Sequence, residues 1–320
     1  MDNIIDPNME FLCYPNFKST RFNTLMMCIM LSKINPLSDN FFQNSDMLSD
    51  INTKNDMELT PLMLACINSN NYCTEKTVKQ LIDAGADLDL QDNQGNTALS
   101  LACRFSNTTS TVNTVKMLIE AGAKLNLQNK QGQTALIITC KFTNISSSVN
   151  TVKMLIEAGA FLNLQDIYGW SALMHACRSS NIESTEETVK LLINAKANLN
   201  LQSKNNSTAL MMACWHIDDE STINTAKMLI EADADLNLQR CIDGDLVILI
   251  CLNSDYHNMP NIIEMLVEKG VDFNIKNSNG ISALMLIQND QYNDKHTEYI
   301  KQLKKTLFNE DIDLAVEVCI

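Results

Sequence analysis

Apolar residues in this chain fall into two alternating spacings, and the alternation recurs at a fixed interval. In residues 92–128, Leu99, Ala102 and Cys103 stand at i, i+3, i+4 spacing and share one face of a predicted helix that Thr97 can cap. Residues 106–113 are polar and read as a loop. Val115, Leu118 and Ile119 then mark the buried face of a second helix, and Gly122 stands where a helix C-terminus favours the left-handed conformation. Leu125 and Leu127 alternate with polar residues, an extended arm leading into the next turn.

This unit returns every 37 residues. The segment Leu-x-Leu-Gln ends at Gln91, Gln128, Gln165, Gln202 and Gln239, with Lys276 in the next place, and no residue is gained or lost between them. A fixed period of this size means stacked supersecondary units, none able to bury its apolar face without a neighbour. The predicted organisation is a non-repeat cap at 1–20, an array at 21–308 and a tail at 309–320. Within the array a degenerate unit near 21–54 precedes units at 55–91, 92–128, 129–165, 166–202, 203–239, 240–276 and 277–308. The fold class is therefore all-α with short β-hairpin loops, about seven to eight helix-loop-helix units sharing one continuous core.

The copies are not identical. Gly85, Gly122, Gly159 and Gly270 end their helices, but Lys196 and Asp233 occupy the same place and predict either a strained left-handed residue or a different helix end. In the unit beginning near Arg240 the motif decays to Asp245-Leu246-Val247 and the turn glycine slips to Gly244. The last predicted helix, 298–307, carries Lys301, Lys304 and Lys305, which suits a terminal cap facing water.

Composition narrows the function classes. A hydrophobic content of 45% with 19% charged residues is that of a folded chain. The first ten residues carry acids and a proline where a secretory signal needs a basic start, and apolar runs such as 246–252 are far short of a membrane span, so an intracellular protein is predicted. A net charge of −14 opposes binding to phosphate backbones or anionic membranes, which leaves nucleic acid and membrane outside the expected partners. Six of the eleven cysteines, Cys66, Cys103, Cys140, Cys177, Cys214 and Cys251, fall on the period. Equivalent residues on stacked helices lie about 8–10 Å apart, beyond the roughly 7 Å Cα limit for a disulfide, so the column reads as small apolar packing residues. Cys13, Cys28, Cys73, Cys241 and Cys319 follow no pattern.

The first helix of each unit opens with Thr60-Pro61-Leu62, Thr97-Ala98-Leu99, Thr134-Ala135-Leu136, Ser171-Ala172-Leu173, Thr208-Ala209-Leu210 and Ser282-Ala283-Leu284, with a worn copy at Asn23-Thr24-Leu25. With a glycine four residues after the glutamine in several copies, this closely resembles the ankyrin repeat, over about residues 20–308. The usual unit is about 33 residues, and the four extra fall in the loop between the helices, as at 106–111. The long unit, the richness in Asn, Ile and Lys, and the phrase TVKMLIEAGA resemble the ankyrin proteins of amoeba-infecting giant viruses; some intracellular bacteria have similar arrays.

No nucleophile motif, phosphate-cradling loop or paired-carboxylate constellation is present, and neither enzymatic activity, a cofactor nor a small-molecule substrate is predicted. His175-Ala176-Cys177 beside Cys214-Trp215-His216 is the nearest approach to a metal site, but i, i+2 residues point to different sides of a helix. His175 stands where other units have Leu64, Leu101 and Met212, which predicts a partly buried structural histidine and no metal.

The resemblance implies that the hairpin tips and the end of the first helix line a concave surface that meets protein partners. On this chain the tip columns read Asn93, Gln94, Asn96; Lys130, Gln131, Gln133; Ile167, Tyr168, Trp170; and Lys204, Asn205, Ser207, while the helix-end column reads Arg104, Lys141, Arg178, Trp215. Both tryptophans of the chain lie in these columns. Trp, Tyr and Arg are the residues that most often anchor interfaces, so Tyr168, Trp170, Arg178 and Trp215 are the candidate hot spot. With Arg104, Lys130, Lys141, Arg178 and Lys204 on the same face, the expected partner offers acidic and apolar residues. The predicted function is a non-enzymatic protein-interaction module directed at a host protein. The alternative is an adaptor that recruits clients to a ubiquitin ligase or other machinery through a terminal segment, for which residues 1–20 with Phe11, Leu12, Tyr14 and Phe17 are the candidate; they suit a cap on the first repeat better. The resemblance further implies that Asn126, Asn163, Asn200, Asn237 and Asn274 are open to hydroxylation in host cells.

Overall fold

Ser or Thr at the head of each motif does what an N-cap does: Thr60, Thr97, Thr134 and Ser171 accept the backbone N–H of Met63, Ser100, Ile137 and Met174 at 3.2–3.3 Å. The computed structural model describes residues 23–34, 37–38, 48–215, 221–240 and 259–288. After α1 (Thr24–Met30), capped by Asn23, come paired inner and outer helices: α2 (Pro61–Asn68) and α3 (Glu75–Asp83), α4 (Ala98–Arg104) and α5 (Val112–Glu120), α6 (Ala135–Lys141) and α7 (Val149–Glu157), α8 (Ala172–Arg178) and α9 (Glu186–Asn194), α10 (Ala209–Trp215) and α11 (Ile223–Glu231). Then follow α12 (Met259–Glu268) and α13 (Ala283–Gln288). The predicted cap 1–20, the Asp245-Leu246-Val247 segment with Gly244, the helix 298–307, the tail 309–320, His216, and Cys13, Cys241, Cys251 and Cys319 lie outside the described residues.

Inner helices stack on inner helices and outer on outer, from α2 through α4, α6 and α8 to α10 and from α3 to α11. The inner layer corrects the one-faced reading of the sequence. In α4 every residue from Ala98 to Cys103 is buried and only Arg104 is exposed. Each of α2, α4, α6 and α8 is covered by two inner neighbours and its own outer helix, so no side of it remains polar. In α4, α6, α8 and α10 the last residue is the one that is not buried. The outer helices stay amphipathic, burying Thr114, Val115 and Leu118 in α5, with Ile119 only half-buried. The column Cys66, Cys103, Cys140, Cys177 and Cys214 is buried, and its members stand as thiols outside any disulfide. Burial pushes the Cys103 thiol up to about 12, and raises Cys66, Cys140 and Cys177 as well.

Buried hydroxyls join the layers where the sequence reads as a polar loop. Thr77, Thr114, Thr151, Thr188 and Thr225 donate to Ser32, Ser69, Ser106, Thr143 and Ser180 of the preceding unit at 2.7–3.0 Å. Ser110, Ser184 and Ser221 meet the same column at 3.1–3.3 Å. Backbone bonds Asn70 N to Thr109 O and Asn107 N to Ser146 O, each 3.0 Å, tie loop to loop. The loop between the helices is thus a stacked seam in which buried hydroxyls bond to the adjacent layer.

On the opposite edge the glutamine column forms a ladder. The Gln128 amide donates to Gly132 O in its own turn and to Gln165 O in the next unit, at 2.6 and 3.0 Å, and Gln91, Gln165 and Gln202 repeat the pair. Backbone links such as Lys130 N to Gln94 O and Ile167 N to Gln131 O join successive turns. Among the described residues the hairpins contain only isolated antiparallel bridges, Gln165 with Ser171 and Lys276 with Ser282, because side-chain amides and single turn-to-turn bonds replace a strand ladder. Asn126, Asn163, Asn200 and Asn237 use Oδ1 to accept the N–H of Phe161, Asn198, Asp235 and Asp272 in the following unit. Lys196 and Asp233 keep the left-handed helix end, with φ of 67° and 61°. No helix among the described residues is long and apolar enough to cross a membrane.

Candidate functional site

The turn before α8 is built around Asp166. Its Oδ1 accepts the N–H of Tyr168 and of Trp170, both at 2.9 Å, and its own N–H donates to Trp170 O at 3.0 Å. Oδ2 meets His175 Nε2 at 2.8 Å, with both side chains buried. Burial pushes the Asp166 carboxyl up, but the bonds from His175 and from the backbone of Trp170 and Tyr168 outweigh it and hold the group below the usual carboxylate range. His175 is the buried structural histidine predicted, and its partner is this carboxylate. Its ring lies 5.1 Å from the Trp170 indole, tilted by 59°. Trp170 is half-buried against the core, so its indole is fixed by the turn and by His175.

Arg178, the last residue of α8, places its guanidinium carbon 5.3 Å from the centre of the Trp170 ring. One unit on, α10 ends at Trp215, which is 50% exposed, and Arg240 lies 4.6 Å over that ring. Both distances suit a cation over an aromatic face. Trp170, Arg178, Trp215 and Arg240, with Asn205, Ser207, Met211 and Met212, line one pocket of about 150 Å³. The two methionines are buried; the lining among the described residues holds two cations and no carboxylate.

The other sequence candidates have separate settings. Tyr168 is exposed on the turn, outside the pocket lining, and its carbonyl accepts the N–H of exposed Lys204 at 3.0 Å. Arg104 lies 5.5 Å from the Phe105 ring and 5.2 Å from Phe142, and Lys141 lies 5.0 Å over Phe142. Lys130 borders a shallower depression with Lys54, Glu58, Asp89 and Asp92. Arg240, Met211 and Met212 escaped the sequence reading: Arg240 sits at the edge of the decayed copy, and the methionines look like ordinary core. Among the described residues no group of three or more His, Cys, Asp or Glu is placed to hold a metal.

A family model described as ankyrin repeats matches the chain in three overlapping copies, at 25–126, 108–186 and 146–240. The chain belongs to the ankyrin repeat family. Its fold is similar to the crystal structure of the ankyrin repeat domain of Bcl-3, described as a unique member of the IkappaB protein family, with a TM-score of 0.60 and 26% identity over 76% of this chain and 98% of that one. Ankyrin repeat protein L88 of Acanthamoeba polyphaga mimivirus is 34% identical over 85 residues, which are 25% of this chain and 10% of that protein. The match therefore spans about a tenth of the viral relative. Ankyrin repeats are generic protein–protein interaction modules, and the family is typically non-enzymatic.

Proposed function

We propose that this ankyrin array binds a protein partner through the surface around Trp170, Arg178, Trp215 and Arg240, and that the bound segment offers apolar and acidic side chains. The observation that carries the reading is the stacking of one guanidinium on each of the chain's two tryptophans around a single pocket. The two indoles and two methionines that line the pocket suit an apolar side chain, and the guanidiniums beside them suit carboxylates. A chain of net charge −14 has few such places. The likeness to a mimivirus protein supports a host protein as the partner and the inside of a host cell as the location.

The test is capture from amoebal lysate by the wild-type chain and by an Arg178→Gln, Trp215→Ala variant. A protein retained by the first and lost by the second, with both chains equally folded by circular dichroism, is the expected result. Identical captured proteins would overturn this site.

A further inference from the structure

We propose that the bound segment is an extended chain with an acidic residue at every third position, meeting Arg104, Lys141 and Arg178 in succession before an apolar residue enters the pocket between Trp170 and Trp215. This deepens the reading above and rests on it. The three cations are the final residues of α4, α6 and α8, consecutive helices of the inner stack. Stacked helices stand about 8–10 Å apart. A polyproline-II segment turns once in three residues with about 3.1 Å rise per residue, and so returns a side chain to one face about every 9.3 Å. A β-strand returns one about every 6.8 Å, which loses register within two units.

Each cation also lies over an aromatic face: Arg104 over Phe105 and Phe142, Lys141 over Phe142, Arg178 over Trp170. Stacking orients a guanidinium while its edge still donates to a carboxylate. In the next unit the same column holds Trp215 instead of a cation, so the charged stripe gives way to the pocket. A pocket of about 150 Å³ takes one side chain, which an extended segment delivers close to its third carboxylate.

Four synthetic peptides, the first three of equal composition, test the register, read by the fluorescence of Trp170 and Trp215, the chain's two tryptophans. One carries three Glu at every third position followed by Leu; a second has them contiguous; a third, helix-favouring, has them at every seventh; a fourth replaces the third Glu by phosphoserine. The expected result is saturable binding of the first, about tenfold or more tighter than the contiguous isomer, with the difference erased by Lys141→Ala. Equal affinities, preference for the helical spacing, or binding of the phosphopeptide alone would overturn the proposal. If no peptide binds while the lysate protein is still captured in a Trp215-dependent way, the register is wrong and the binding site stands. If neither binds, both fail.

Discussion

The guanidinium of Arg240 covers the indole of Trp215 at 4.6 Å, although 25 residues of chain separate the two and Trp215 ends an inner helix. In other units the position of Arg240 holds Asn55, Asp92, Asn129, Asp166 or Ser203, whose side chains accept backbone N–H groups of their own turn. Arginine has no acceptor. A local structural role has been exchanged for a cation at the pocket.

Arg240→Asn should therefore remove the cation from the face of Trp215. Stability measured by urea unfolding is expected to fall by no more than about 1 kcal/mol, the worth of a cation over an exposed aromatic ring, while affinity for the partner falls about tenfold, since a hydrogen bond to a charged group contributes about 1.5 kcal/mol. Lower stability with unchanged affinity would contradict the exchange.

Two glycines separate backbone conformation from crowding. Gly85 has φ +87° and open space where a Cβ would stand, whereas at Gly169, φ +76°, a Cβ would lie 2.7 Å from Lys204 N. Gly85→Ala should cost about 1 kcal/mol for the left-handed residue, as Lys196 and Asp233 already show such an end can be built. Gly169→Ala should cost about 2 kcal/mol more, although Glu58 and Asn206 hold the same conformation in their own turns. Equal losses in denaturant unfolding would show that the turns yield freely.

The hydroxyl seam predicts a loss from a substitution that conserves volume. Thr188→Val removes the donor to Thr143, whose other partner is Ser184. A buried hydroxyl left short of a partner costs about 1–3 kcal/mol, so the unfolding midpoint should fall clearly; an unchanged midpoint would mean the seam is incidental.

Burial of the cysteine column gives a pH dependence. Because the folded thiols hold their protons above the ordinary value of about 8.5, the unfolded chain binds fewer protons in alkali, and stability falls as pH rises past that value. This contribution is complete below pH 8 and fades through about 12 for Cys103. Cys103→Ala should flatten the alkaline slope of stability, measured from pH 8 to 10.5. In the native chain, a thiol reagent at pH 8 should label Cys66, Cys103, Cys140 and Cys177 only after unfolding.

The architecture was legible because stacking imposes the same demand on every copy: the column from Gln91 to Gln239 is a column since each amide reaches the next unit. The Cys103 column was legible for the same reason, as a small residue between helices. Two features were read incompletely. The 3.6-residue period reveals one apolar face only where the other face meets water, so α4, buried all round, showed less of its core than it has. Ser106 and Thr151 are polar in sequence yet buried in the fold, because the partner that satisfies each lies a whole unit away. At the site, Trp170 and Trp215 stood out by departing from the repeat, and Arg178 by standing in a column of helix-end cations beside them. Arg240 did not, since the copy that contains it had lost the pattern from which a departure could be measured.

Trp215 decides the central claim. Half-exposed at the end of α10, it can be removed with little change to the core, whereas Trp170 packs against its neighbours and would confound binding with stability. The measurement is the affinity of wild-type chain and Trp215→Ala for the captured partner by titration calorimetry, with thermal unfolding of both. The account predicts a loss of about 2 kcal/mol or more in binding with nearly equal unfolding midpoints. Equal affinities would place the interaction surface elsewhere on the array.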